Sequence, residues 1–520
     1  MARLPVSESS LVALAVLGLL VATGVPFVLP LVASDVPPES AGVGSPTTPG
    51  MATDGNPPAS RGGPPVDRDT PVDDPRPGVL TVPPDARRDG DGGTETYCTA
   101  GPAGTADAGL ASLARLDADD PTGANVTVAV LDPTGFDVDD PRVRDSVAGT
   151  ASFAARGESS VGNDGFDQHG TASATLVTRV APDADLLLAN FRTAYDFTRA
   201  VEWALDRGAD VVVAPTVFYA KPDDGSAPVS RAVADAADAG VPVTTTATTA
   251  LGAGVPVVVP TGNAAQRHWA GTHDGGEWVE FGDGRTRISL QGSSERVRLW
   301  LWWNESDAGD HNVTIHLYEE TDNGSRQVAR SRAYPRGPVG TNQVLAESVE
   351  TNDLLSQSVP DGTYHVRVSA PANATHRLEL VSTTHRFADP EPRQSIAAPA
   401  TARAPGVVAV GAASSGERRP MDRSGRGPTN DGRPGIDLLA PGATPVGSGL
   451  SFTGTSAAAA YTGGVAALLQ EVDPGITPGE TERTLEASAT PVDGNRTLAA
   501  GHGLLDADDG VACARNATVP

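Results

Sequence analysis

The sequence predicts an α/β fold: a doubly wound, mostly parallel sheet with helices on both faces, interrupted by an inserted antiparallel domain of β-sandwich type. Three observations carry this expectation. From Asn125 to Arg267, short apolar runs alternate with helical stretches of about ten residues, the pattern of parallel strands joined by crossover helices. From Trp269 to Phe387 the pattern becomes residue-by-residue alternation, which marks half-buried antiparallel strands. Beyond residue 388 the first pattern returns.

The elements follow in chain order. Ser10 to Ala33 is 24 residues without a charge, enough to span a bilayer of about 30 Å and longer than an ordinary signal-peptide core. Arg3 precedes it and Asp35 and Glu39 follow, so the bulk of the chain is expected outside. Residues 1–33 therefore read as a membrane anchor or a signal segment, with Val32-Ala33-Ser34 as the cleavage site in the second case; both imply export. Residues 34–96 are rich in Pro, Gly, Asp, Ser and Thr without apolar periodicity, and read as a disordered spacer, unlike a folded pro-domain.

Residues 97–268 form the first part of the α/β domain. Leu110 to Leu116 reads as a short helix, and Val126 to Leu131 as a buried strand that ends on Asp132. In open α/β sheets that strand edge is where ligands bind. Asp167 to Val177 opens a helix with His169 at its start. Ala184 to Phe191 and Asp210 to Ala214 are strands around an amphipathic helix, Thr198 to Arg207, and Ser230 to Ala239 is the next helix. Ala239-Gly240-Val241-Pro242-Val243 recurs as Ala253-Gly254-Val255-Pro256-Val257, a tandem duplication whose second copy leads into Thr261-Gly262-Asn263.

Residues 269–387 are the inserted β-domain, with strands expected at 295–303, 312–318, 363–368 and 375–381. Residues 388–515 complete the α/β domain and 516–520 are a tail. The last part contains a strand at Val407 to Ala412 and a long helix of small and apolar residues introduced by Phe452-Thr453-Gly454-Thr455-Ser456. It also has a final amphipathic helix from Pro478 to Ala487.

Composition bounds the partners. Basic residues number 38 against 65 acidic ones, for a net charge of −27, and Lys221 is the one lysine. Such a surface repels nucleic acid and anionic membrane, so membrane contact is expected through the N-terminal segment alone. Acid spread over the whole chain reads as adaptation to strong salt, where screening reaches about 3 Å at 1 M. Sequons at Asn125, Asn304, Asn312, Asn323, Asn373, Asn495 and Asn516 agree with export. Cys98 and Cys513, the two cysteines, flank nearly all of the folded chain; one disulfide would tie its ends outside the cell, and two free thiols are the alternative.

Ser456, at the positive end of a helix dipole, is placed either as an N-cap or as a nucleophile that passes through an oxyanion. Asp132 at a strand end and His169 at a helix start supply the orienting acid and the base such a nucleophile requires. In these residues and their surroundings the chain resembles the subtilisin-like serine peptidases, of haloarchaeal type by composition. The matching segments are Val128-Ala129-Val130-Leu131-Asp132, His169-Gly170-Thr171, the stretch from Ser424 to Gly442, and the helix from Gly454 to Leu469. The order Asp, His, Ser is that of subtilisin's own triad. The resemblance covers about 125–265 and 388–510.

It implies a serine endopeptidase acting on protein or peptide substrates through an acyl-enzyme. Ser456 would be the nucleophile, His169 the general base and acid, Asp132 the orienting acid, and Asn263 the side-chain donor of the oxyanion hole. No cofactor is expected; calcium enters by family resemblance alone, because no acidic cluster of specific spacing stands out. The sequence departs from the family pattern at Pro133 and at Ala172, Ala457 and Ala460-Tyr461, which are packing positions. It departs again at Ala214-Pro215-Thr216-Val217-Phe218, where the family pairs with substrate backbone. The alternative is a weak or inactive subtilisin-fold surface protein whose β-insert binds ligands.

Overall fold

The computed structural model describes residues 120–517 except 155–160, 163–167, 220, 239–253, 293, 295, 304–312, 323, 332–340, 349–363, 373–374, 389–393, 415–417, 448–449 and 493–495. The expected helix at 110–116, the first copy of the duplication, the N-terminal segment and the spacer lie outside the described residues.

A nine-stranded sheet forms the centre. Its strands, numbered in chain order, are β1 (Thr127–Leu131), β2 (Val147–Ser152), β3 (Asp185–Asn190), β4 (Val211–Val213), β5 (Val257–Pro260), β6 (Val407–Ala413), β7 (Leu438–Pro441), β8 (Ala489–Thr490) and β9 (Leu504–Leu505). Their spatial order is β8, β9, β7, β6, β5, β4, β1, β3, β2. Every neighbouring pair is parallel except β8 with β9.

The central strands are apolar throughout because helices cover both faces. Alternate residues of β1 feed two cores. Val128 and Val130 pack with helices α1 (His169–Val180) and α4 (Thr455–Val472). Ala129 and Leu131 pack with α2 (Ala194–Asp206) and α3 (Pro228–Asp238). Each fully buried Val or Leu contributes about 1.5–3 kcal/mol.

Helix α4 is buried from Thr455 to Leu469. A stripe of small residues lets it lie that deep: a Cβ on Gly463 would stand 2.1 Å from Val213 Cγ2 of β4. The two remaining helices are α5 (Pro478–Ala487), at the residues expected from sequence, and α6 (Ala507–Ala517). Cys513, buried on α6, is disulfide-bonded; Cys98 lies outside the described residues.

Between β5 and β6 the chain builds two antiparallel sheets. One pairs Thr341–Ser348, Arg296–Trp303, His376–Ser382 and His268–His273; the other pairs Gly324–Arg330, Thr314–Thr321, Tyr364–Ser369, Ile288–Gln291 and Arg386–Phe387. They share an apolar core that includes Trp269, Leu299, Leu301, Trp303, Ile315, Val366 and Leu378. Four of these nine strands fall where alternation was read. Of the others, Ile288–Gln291 and Arg386–Phe387 are short, and Gly324–Arg330 is largely exposed and polar.

Two further differences have local causes. Helix α2 begins at Ala194, four residues before the apolar periodicity, because Thr193 and Asp196 form a capping box at its start. Strand β2 went unpredicted because it is a half-exposed edge with no strong apolar face. Among the described residues no helix is long and apolar enough to cross a membrane; residues 10–33 lie outside that set.

Candidate active site

The C-terminal edge of the sheet carries the predicted residues. Asp132 directly follows β1, and its N–H donates to Ala189 O of β3 at 3.0 Å. Its carboxyl group is fully buried, so it needs partners, and it has three. Oδ1 accepts from the Thr134 N–H at 2.9 Å and the Thr134 hydroxyl at 2.8 Å, while Oδ2 faces His169 Nδ1 at 2.6 Å. Pro133 therefore leaves Asp132 in place: the residue it pushes one position along, Thr134, supports the carboxylate through an Asx-type turn. Thr134 Oγ1 also accepts from Gly170 N at 3.0 Å, tying the turn to the start of α1.

His169 is the first residue of α1, with its side chain 22% exposed. The ring stands edge-on to Phe452, centroids 5.1 Å apart at 84°. Phe452 lies in the short strand Leu450–Thr453 that runs into α4. The imidazole is thus held between Asp132 and the segment that delivers Ser456.

Ser456 is the second residue of α4 and is 9% exposed. Gly454 precedes the helix with φ 106°, a conformation that L side chains rarely adopt. It also has no room for one, since a Cβ would lie 2.8 Å from Asn263 Oδ1. Asn263 follows β5 by three residues, and its Oδ1 accepts from Thr455 N at 3.2 Å. With Oδ1 so engaged, Nδ2 is the donor the amide has left to offer. The Asn263 backbone N–H donates to the Tyr219 phenol oxygen, and Gly262 O accepts from Gly425 N at 2.7 Å. Burial raises the Tyr219 pKa against the effect of that hydrogen bond, so the phenol is neutral at neutral pH.

Asp132, His169 and Asn263 are each brought against α1, α4 or the segments leading into them. Ala172, Ala457, Ala460 and Tyr461 are buried packing residues. In the 214–218 segment, Thr216 N donates to Ala214 O and Phe218 N to Ala398 O, both at 2.7 Å. The Phe218 ring packs on Phe191 and Phe197. With Pro215 lacking an N–H, these three positions have no amide hydrogen left to offer a peptide.

Sequence reasoning missed Thr134 and Tyr219. The Asp-Pro-Thr-Gly turn signal sufficed to find Thr134. Tyr219 had no signal, because its contact with Asn263 spans a helix and a strand.

Among the described residues one carboxylate group, Asp437, Glu482 and Glu486, has oxygens within 4.8 Å of one another. Asp437 and Glu482 already accept from Ala409 N and Gly406 N, each at 2.7 Å, and Glu486 pairs with His502 at 3.0 Å. These carboxylates hold the sheet to α5 by hydrogen bonds.

The subtilase family, peptidase S8, matches residues 340–503, a span that contains Ser456 but not Asp132, His169 or Asn263. The CspB protease of Clostridium perfringens superposes with a TM-score of 0.52 at 16% identity, covering 76% of this chain and 94% of that one. A protease of Pseudoalteromonas arctica gives 0.42 at 16% identity over 78% and 94%. MycP1 without its N-terminal propeptide gives 0.39 at 19% over 75% and 92%. No curated protein matches the sequence. The chain has the subtilisin-like protease fold and carries the subtilase-family sequence match in its C-terminal part.

Proposed function

We propose that the chain is a serine endopeptidase acting outside the cell in strong salt. The 2.6 Å contact of Asp132 Oδ2 with His169 Nδ1 is the observation that carries this reading. It sets the imidazole tautomer with Nδ1–H toward Asp132, leaving Nε2 as the base. Ser456 attacks the peptide carbonyl, His169 takes its proton and returns it to the leaving amine, and Asp132 stabilises the imidazolium. Asn263 Nδ2 and the backbone N–H of Ser456 receive the oxyanion, aided by the α4 dipole. A second water-driven passage over the same oxyanion releases the acyl group.

Export is supported by the uncharged 24-residue segment and the seven sequons, and action in strong salt by the net charge of −27. Covalent labelling by a fluorophosphonate in strong salt, with hydrolysis of casein, tests the reading. Wild type is expected to label and to cleave, and Ser456→Ala to do neither. Absence of both in wild type rejects it and favours a subtilisin-fold scaffold with a ligand-binding insert.

A further inference from the structure

A cavity of about 440 Å³ opens beside Asn263. Among the described residues its wall includes Arg267, Arg386, Arg419 and Arg423, against one carboxylate, Asp422. That concentration of guanidinium groups is unusual in a chain of net charge −27. Asp422 offsets Arg419, with which it pairs at the surface at 3.3 Å, and leaves Arg267, Arg386 and Arg423 without a carboxylate among the described lining residues. Arg267 and Arg423 are half-buried, and Arg267 Nη1 donates to Thr383 O at 3.2 Å, a neutral acceptor. Burial, with the Arg423 and Arg386 charges behind it, lowers the Arg267 pKa, and burial lowers that of Arg423. Like charges drawn together and partly desolvated cost free energy unless an anion joins them.

The position says which anion. Asn263 is at once a wall of the cavity and the amide pinned to the first turn of the Ser456 helix. A peptide residue spans about 3.3 Å, so a carbonyl oxygen held at Asn263 Nδ2 brings a neighbouring side chain to the cavity mouth. Arg267 and Arg386 sit at the two junctions where the inserted sheets leave and rejoin the chain, and Arg419 and Arg423 follow β6. The insert's anchorage and the main sheet thus each supply half of the arginines.

We infer that this cavity is a specificity subsite for an acidic side chain, Asp or Glu, flanking the scissile bond. The inference rests on the peptidase reading above and names its substrate class. Guanidinium forks match carboxylates in two-point contact, and a partly buried pair is screened by salt less than an exposed one.

The test uses C-terminally amidated peptide pairs that differ only by Glu or Gln at each position flanking the scissile bond. At one of those positions the full chain is expected to prefer Glu by about tenfold or more, the scale of a charge-assisted hydrogen bond. Arg423→Gln, and separately the exposed Arg386→Gln, should bring the ratio toward one. A wild-type ratio near one at every position overturns the inference, and so does a variant that loses both peptides in proportion. The same pairs titrated into Ser456→Ala read the subsite without catalysis: equal affinity for Glu and Gln overturns it, whereas failure of fluorophosphonate labelling overturns only the peptidase reading. Preference that vanishes when chloride replaces a larger anion at equal ionic strength identifies an inorganic-anion site and also overturns it.

Discussion

Two regions of the molecule bury carboxyl groups to a similar depth and treat them in opposite ways. Asp132, at the edge of the sheet, meets two donors from Thr134 and the imidazole of His169. Glu379, where the insert meets the α/β domain, faces another buried acid. The Asp223 carboxyl group lies against it, Asn430 donates a side-chain amide, and His268 stands at 3.9 Å. Burial pushes the Glu379 pKa up to about 7, and burial together with Glu379 pushes that of Asp223 well above the carboxylate range. Burial also lowers His268 to about 4, so it brings no charge to the pair at neutral pH. The contrast lies in what converges on each group: a turn and an imidazole on Asp132, a second buried acid on Glu379.

Substitutions can break or sharpen that contrast. Asp132→Asn is the most severe: it keeps the shape but turns an amide NH₂ toward His169, and on the proposed triad kcat should fall about 10⁴-fold. Thermal unfolding should confirm that the fold persists. Asn263→Ala removes the proposed oxyanion donor without touching either carboxylate. A kcat loss of about 10²–10³ with little change in KM is expected, the magnitude found when subtilisin itself loses this donor.

At the other carboxylate the effect falls on stability and depends on pH. Glu379 binds its proton more tightly folded than unfolded, where the pKa is about 4.3. Its contribution is therefore fully present below about pH 4.3 and is lost as pH rises through about 7. Glu379→Gln should flatten the decline in stability across that window, by on the order of 3 kcal/mol, in denaturant titrations at several pH values. An unchanged slope would move the proton elsewhere. The smallest effect belongs to Tyr219→Phe, which withdraws the acceptor for the Asn263 N–H. The loss of one neutral hydrogen bond predicts a kcat about fivefold lower, with KM and the pH profile unmoved.

Much of the proposed catalytic edge was legible in the chain. β1 is a continuous apolar run that stops at a carboxylate, and α4 is a run of small residues that starts after Gly454; both signals are local, set by period and by backbone conformation. The same holds for α5, whose bounds follow from Thr477, Pro478 and Glu480 as a capping box with proline in its first turn. The duplicated Ala-Gly-Val-Pro-Val was ambiguous by itself; β5 begins only at Val257, the last residue of the second copy, and runs on to Pro260.

By itself, then, the sequence determined the alternation of strands and helices, the change of pattern over the insert, and the order of Asp132, His169, Asn263 and Ser456 along the chain. Tertiary structure decided which partners each of these meets. Tyr219 reaches Asn263, Asp223 reaches Glu379, and Arg267 reaches Arg423 only because the sheet places β4, β5 and β6 side by side and the insert returns to where it left. Such pairs lie tens to more than a hundred residues apart. They follow neither the helical nor the strand period, and only the packing of the layers brings them together.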